Sequence, residues 1–349
     1  MFEDQGDQLT INEITTNNSI LFTPANEDVI NLGHTDSSIW AHFKVTVADD
    51  EELSQTWVLE SAFPLLQRFD IFVVKNGDIQ QHFEIGYALP MMDRMLPHRF
   101  SAQPLKLKSG SEYDIYINAK RAGGSVQLPM KLSQPLHFVY KELIHNHVFG
   151  LFFGILLAMM VYNLFLFFSV GNRAYFYYIA YIGFSFLTFQ TFTGFGFLLL
   201  WSGAPLVNEY VTQLSACMAS VSGLMFVKHF IKTEQYGRYI NTVINSLAAV
   251  GLILGALRLS TDYFLSSQVS TYVTIITLVM PVFVFHCWLK GSRPAGFFLL
   301  AWALLIVGIV MFTLVLLGLL PSNAITNNAI LAGSAAEMLL LSLGLADRI

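Results

Sequence analysis

The sequence predicts an all-β jelly-roll sandwich followed by an α-helical seven-transmembrane bundle. Three observations carry that prediction. First, 30 of the 43 charged residues fall in residues 1–143, which hold 11 Lys/Arg and 19 Asp/Glu, a net of −8. Residues 144–349 hold 8 Lys/Arg and 5 Asp/Glu. Second, residues 1–143 alternate apolar and polar side chains between turn signals, the period of a half-buried strand. Third, everything after residue 143 divides into long apolar stretches. With 54% hydrophobic and 12% charged residues and a mean hydropathy of +0.54, the chain is not an ordinary soluble domain. The composition excludes disorder, collagen and coiled-coil rods. It also argues against a nucleic-acid partner, because the water-facing part is acidic and phosphates would be repelled.

In the first domain (1–143), Ile39, Ala41, Phe43, Val45 and Val47 form one wholly apolar side of an alternating run. Further strands are expected at 56–60, 69–74, 79–85, 104–108, 112–118 and 125–132, about eight in all. Asn76-Gly77 is a hairpin signal, because both central residues of a type I′ turn take positive φ. Gly123-Gly124 does the same later. Such sandwiches bind ligands on a concave face or at loop ends, and Trp40, Trp57, Tyr87 and Phe100 are candidate stacking contacts. The competing reading is that these rings fill the core. Arg94, with His98 and Arg99, can contact an anion or sit on an exposed loop. Asp49-Asp50-Glu51-Glu52 offers oxygen atoms, but no spacing resembles a calcium loop, so a solvated turn is expected and no metal or cofactor.

In the second domain (144–349), spans are expected at about 147–170, 174–198, 208–231, 240–259, 263–289, 294–319 and 325–346. Each has the 20 or so residues that cross the hydrocarbon of a bilayer, about 30 Å thick. Alternate loops hold Arg173, then Lys228, Lys232 and Arg238, then Lys290 and Arg293, with Arg348 at the end; the opposite loops hold Arg258 alone. Positive loops stay inside, so the C-terminus is cytoplasmic and residues 1–143 are outside. No apolar leader occupies residues 1–30, and a processed or trimmed N-terminus is expected.

Polar residues inside the spans are candidates for signal relay. Glu337 lies mid-span, where a carboxyl must be protonated, paired or hydrated and so faces the bundle interior. Asn163 and His286, with Gln190 and Gln213, are interhelical hydrogen-bonding candidates. Gly150-x-x-x-Gly154 and Gly251-x-x-x-Gly255 permit close helix approach, and Pro281 is expected to bend the fifth span. Cys217 and Cys287 form no disulfide or metal pattern. No Gly-x-Ser-Gly tetrapeptide, mid-span lysine, phosphate loop or zinc motif occurs, which leaves no enzyme class to assign.

Three stretches carry a resemblance. Ser38-Ile39-Trp40 through Trp57-Val58-Leu59-Glu60, with Phe69-Asp70-Ile71-Phe72-Val73, is the first. Met160-Val161-Tyr162-Asn163-Leu164, with Gly171-Asn172-Arg173 and Tyr177-Tyr178-Ile179-Ala180-Tyr181, is the second. Leu341-Ser342-Leu343-Gly344-Leu345-Ala346-Asp347-Arg348-Ile349 is the third. In this order they resemble the bacterial seven-transmembrane receptors with diverse intracellular signalling modules, with that family's second type of extracellular domain. The resemblance implies a periplasmic sandwich, likened to carbohydrate-binding modules, that senses a small molecule or carbohydrate. It implies an inner-membrane bundle that relays the signal, and a homodimer in the full-length receptor. Its output would be a kinase or diguanylate cyclase module beyond Ile349. The alternative expectation is a transporter or channel subunit with an attached solute-binding domain.

Overall fold

The computed structural model describes residues 1–16, 21–25, 30–35, 37–49, 55–121, 124–259, 264–316, 319–320 and 324–347. Asp50, Glu51 and Glu52 of the acidic run, Gly123 and Arg348 lie outside the described residues. The chain forms two compact units, residues 1–144 with 190–209, and residues 145–189 with 210–349.

In the first unit the strands are β1 (Phe2–Asp4), β2 (Ile30–Thr35), β3 (Ser38–Thr46), β4 (Thr56–Ser61) and β5 (Arg68–Lys75), then β6 (Asp78–Ile85), β7 (Ser101–Lys106), β8 (Glu112–Lys120), β9 (Gly124–Leu128) and β10 (Met130–Ser133). A short helix α1 (Ile11–Thr16) follows β1. One sheet runs β1-β3-β8-β5-β6, a second β10-β4-β7 and a third β2-β9, with every pairing antiparallel. Pro129, which has no N–H to donate, separates β9 from β10, and the chain changes its pairing partner there from β2 to β4.

Register builds the core. Ala41 of β3 pairs with Ile117 of β8, which pairs in turn with Ile71 of β5. All three are buried, as are Leu59, Leu105, Val126 and Leu128 from the other sheets. A period-2 strand delivers every second residue to this layer. Asn76 and Gly77 take φ of 54° and 88° at the β5–β6 hairpin, the two positive values the sequence demanded.

Burial departs from simple alternation in β3, whose first four residues are buried on both faces. Trp40 points away from the main core and stacks on Phe72 with centroids 5.8 Å apart. Ile14 of α1, with Phe2, Leu9 and Phe22, packs over that pair. The N-terminal segment thus supplies a lid that alternation within β3 cannot reveal.

Seven helices of 18 residues or more among the described residues build the second unit. These are α2 (Pro135–Val170), α3 (Arg173–Phe192), α4 (Pro205–Ile231), α5 (Arg238–Leu257), α6 (Phe264–Leu289) and α7 (Arg293–Leu316), then, after the short α8 (Ala324–Asn327), α9 (Ala329–Ala346). The start of α2, the end of α3 and the start of α4 fall in the first unit. Six of these are long and apolar enough to cross a membrane. The other, α3, has 20 residues and includes Tyr175, Tyr177, Tyr178 and Tyr181. It ends at Phe192, six residues before the span boundary expected from hydropathy, because Gly194 takes φ of 79°. Pro281 lies inside α6, which continues through it. Close approach of α7 and α9 requires glycine: a Cβ on Gly308 would meet the Ala329 carbonyl, and one on Gly333 the Leu304 carbonyl.

Asp70 of β5 sits 3.3 Å from Arg68 Nε. Burial pushes its carboxyl up to about 7, against the pull of Arg68. With the folded value above the unfolded one, the native state binds the extra proton. The group's stabilising contribution is therefore present at low pH and fades as pH climbs to about 7. Asp70→Asn is expected to flatten this slope: in chemical denaturation the variant should gain stability over the parent at about pH 8 compared with about pH 5. A stability difference independent of pH would contradict this.

Candidate functional site

A cleft of about 380 Å³ opens in the sandwich, lined by Ala41, His42 and Phe43 of β3, Leu59 of β4, Met130, Lys131 and Leu132 of β10, and the stretch Phe22–Ala25 with Met1 and Ile30. It exists because β1 pairs with β3 only over Ser38–Trp40. Beyond that point the described residues place no strand on this edge of β3. The 22–25 stretch is tied down by two backbone bonds, Met1 N to Thr23 O at 2.6 Å and Thr23 N to Met1 O at 2.8 Å. His42 is fixed from two sides: its Nε2 lies 2.8 Å from Asp114 Oδ1 and its ring stacks on Tyr116 at 4.4 Å. Burial, and then the Asp114 charge, hold the Tyr116 hydroxyl above its usual pKa. A largely apolar cleft with a few polar side chains on its wall, here His42 and Lys131, is the usual form of a small-molecule site.

None of the five sequence-predicted ligand contacts lines this cleft. Trp40 lies under the N-terminal lid, and Trp57 is half-buried against the main core. Tyr87 and Arg94 instead pack against Phe197, and Phe100 lies beside Arg99 and His98, the two residues that reach the start of α2. There Arg99 forks onto Glu142 of α2, with Nε to Oε2 at 3.1 Å and Nη2 to Oε1 at 3.2 Å. His98 Nε2 lies 2.9 Å from the same carboxylate. Arg99 Nη1 reaches the Thr193 carbonyl at 3.4 Å, and the guanidinium covers the Phe100 ring at 4.0 Å and the Phe195 ring at 5.3 Å. One residue before Glu142 on the same helix, Lys141 pairs with the buried Glu60 of β4.

The expectation that Arg94, His98 and Arg99 sit on an exposed loop is therefore corrected. Arg94 and Arg99 are 8% and 3% exposed. Arg94 donates from Nη2 to the Gly86 carbonyl at 2.6 Å and lies 5.0 Å from the Phe197 ring, while Tyr87 and Met91 pack against Phe197. Met91 N donates to Ser202 O at 3.0 Å. Burial lowers the Arg94 pKa to about 10 and lowers that of Arg99 also, with Glu142 acting to restore it. A buried charge is costly unless it is paired or hydrogen-bonded; Arg99 has the Glu142 carboxylate, whereas Arg94 has backbone carbonyls and the Phe197 ring. What decides the placement is the 193–202 stretch, which covers the loop. Hydropathy assigned residues 193–198 of that stretch to the second expected span and so hid its role.

In the second unit, Tyr175, Tyr178 and Tyr181, one helical turn apart on α3, run along α9. Tyr175 donates to the Leu345 carbonyl at 3.0 Å and Tyr178 to the Met338 carbonyl, and the Tyr181 hydroxyl lies 3.2 Å from both carboxyl oxygens of Glu337. Asn163 of α2 donates to Ser342 Oγ of α9 at 2.8 Å. Glu337 and Asn163 are fully buried: one lies on α9 facing Tyr181 of α3, and the other reaches α9 from α2. His286 is exposed on α6 and joins neither. Arg258, expected in an outer loop, is buried at the end of α5, where its Nε donates to Gln213 and its guanidinium lies 5.0 Å from the Tyr210 ring.

The family described as "7TM diverse intracellular signalling" matches residues 145–348, and the one described as "7TMR-DISM extracellular 2" matches residues 1–134. No curated protein matches the chain.

Gly194 tests the packing around Arg99. A Cβ there would strike the Arg99 carbonyl, whereas one on Gly203 would meet nothing within 4 Å. Gly194→Ala, strained in φ as well, is expected to destabilise the first unit by about 2 kcal/mol. Gly203→Ala should be neutral to within about 0.5 kcal/mol. Thermal unfolding of the two variants side by side is the check; equal melting temperatures would refute the packing.

Proposed function

The chain belongs to the 7TM diverse intracellular signalling family, whose members are membrane signalling receptors, and we propose that it senses a small ligand outside a bacterial inner membrane and relays binding through the bundle to an output module in the cytoplasm. The ligand would enter the cleft beside His42 and Lys131, with sugars and glycan fragments the first class to test. Tyr87, Arg94 and Phe100 then belong to the relay rather than to ligand contact. The output would be of the kinase or cyclase type beyond Ile349. The orientation rests on the seven positive residues of alternate loops against Arg258 alone on the other side.

One observation carries the reading: the Arg99–Glu142 fork. It joins the loop before β7 to the helix that continues as the first span. Motion of the sandwich strands would reach α2 through this bond, and α9 through Asn163 and the α3 tyrosines. A ligand biases the output only by as much as it binds the two states differently.

The test has two arms. In a thermal-shift screen of the full chain in detergent, a binding sugar or small organic molecule is expected to raise the melting temperature, since it binds only the native state. Ala25→Trp, which fills the cleft from an exposed position, should abolish that shift. In the receptor carrying its output module, Glu337→Gln should alter signalling while the ligand-induced shift persists. A shift unaffected by Ala25→Trp would move the ligand elsewhere, and unchanged signalling in Glu337→Gln would remove α9's carboxyl from the relay.

A further inference from the structure

Helix α2 is 36 residues long, about 54 Å at 1.5 Å per residue, whereas about 20 residues suffice to cross the hydrocarbon. Its C-terminal end meets Gly171-Asn172-Arg173, so the surplus lies at its N-terminal end. There Leu136, Val139, Tyr140, Leu143 and Ile144 are all exposed, at the i, i+3, i+4, i+7, i+8 spacing of one continuous helical face. Phe138 and Glu142, on the other side of the helix, are buried. With the last 20 or so residues of α2 crossing the hydrocarbon, this segment would stand beyond the lipid tails, and water is a poor cover for five large apolar side chains in one row.

The row does not stop at the membrane. Taken by alternating steps of four and three residues from Leu136 to Phe168, every position is exposed, and Gly150 and Gly154 are among them. A Cβ built on either glycine would meet nothing within 4 Å, whereas one on Gly251 would meet Tyr272 and Val221. Gly251 serves packing inside one chain; Gly150 and Gly154 leave bare backbone facing outward. Bare backbone one turn apart is useful to another helix, which can approach closely, and useless to lipid.

We propose that this face binds the same face of a second copy, pairing α2 with α2 in parallel about a two-fold axis along the membrane normal. The 3–4 alternation is that of a two-stranded helical seam, and two copies inserted in the same orientation can meet along their whole length only in parallel. The face carries no Lys, Arg, Asp or Glu at any of its positions, so self-association brings no like charges together. Its seven large apolar side chains are 41–82% exposed. At about 200 Å² per large side chain, that offers on the order of 800 Å² per protomer, the area a stable interface buries on each side. The site goes beyond the receptor reading: it would stand if the cleft bound nothing.

Disulfide trapping of the full chain in native membranes tests it. The parent, whose Cys217 and Cys287 are both buried, is the background. Tyr140→Cys and Val161→Cys lie on the face, and Leu278→Cys on α6, 66% exposed, lies off it. Mild oxidation is expected to give several-fold more covalent dimer from Tyr140→Cys and Val161→Cys than from Leu278→Cys or the parent. Adding Gly150→Leu and Gly154→Leu, which face open space and leave the protomer's melting temperature unchanged, should suppress the crosslink at Tyr140. Equal crosslinking at Leu278, products of a mass other than twice the chain, or trapping that survives the two glycine changes would each overturn the proposal.

Discussion

The buried fork between Arg99 and Glu142 is the constraint around which the first unit is arranged. A guanidinium and a carboxylate withdrawn from water cost several kcal/mol each unless they meet in good geometry with their remaining hydrogen-bonding groups satisfied. Here His98 and the Thr193 carbonyl take up the rest, while the Phe100 and Phe195 rings cover the cation. Meeting those demands fixes three segments that are distant in sequence: the loop before β7, the first turns of α2, and the stretch after α3. Lys141 with Glu60 repeats the device beside it. The N-terminal part of α2 is therefore held by charge rather than by a broad apolar contact, and Phe138 is its one buried anchor in the small cluster with Val58 and Ala102.

The two units are held together internally by different forces. In the sandwich, burial of Ile71, Ile117, Leu59 and their neighbours removes apolar surface from water, which is the main driving force for folding a soluble domain. In the bundle that force is missing, because lipid tails are as apolar as leucine. What remains is close packing, seen at Gly308 and Gly333, and hydrogen bonding, seen in the tyrosines of α3 along α9. Glu337 fits this pattern: a carboxyl with no basic partner among the described residues, its two oxygens facing a phenol. A single change of hydrogen bonding there would alter how α9 sits against α3, and the proposed relay therefore runs through α9.

Much of the fold was legible in the sequence because it rests on periodicity. The strands from β3 to β8, the Asn76-Gly77 hairpin and the long apolar helices all follow from local pattern. What was not legible depends on contacts between distant segments. The strand β1 and helix α1 are too short to show a period, yet they bury Trp40. Residues 193–198 are apolar enough to read as membrane, and the Gly194 break shows only when the Arg99 carbonyl lies against it. Arg94 and Arg99 read as exposed because charge in a loop usually is; nothing local marks Glu142 as the counter-ion of Arg99. The reverse holds for Glu337 and Asn163, where the cost of a polar group in an apolar span gave the placement directly.

A double-mutant cycle on Arg99 and Glu142 probes the central constraint most directly. Arg99→Met, Glu142→Gln and the pair together would be compared by denaturant unfolding of the full chain in detergent. A coupling energy of about 2–3 kcal/mol, with the double change costing less than the sum of the two single changes, is expected for a buried pair. A coupling below about 0.5 kcal/mol, the level of independent sites, would mean that the fork does not hold α2, and the proposed route from sandwich to bundle would fall with it.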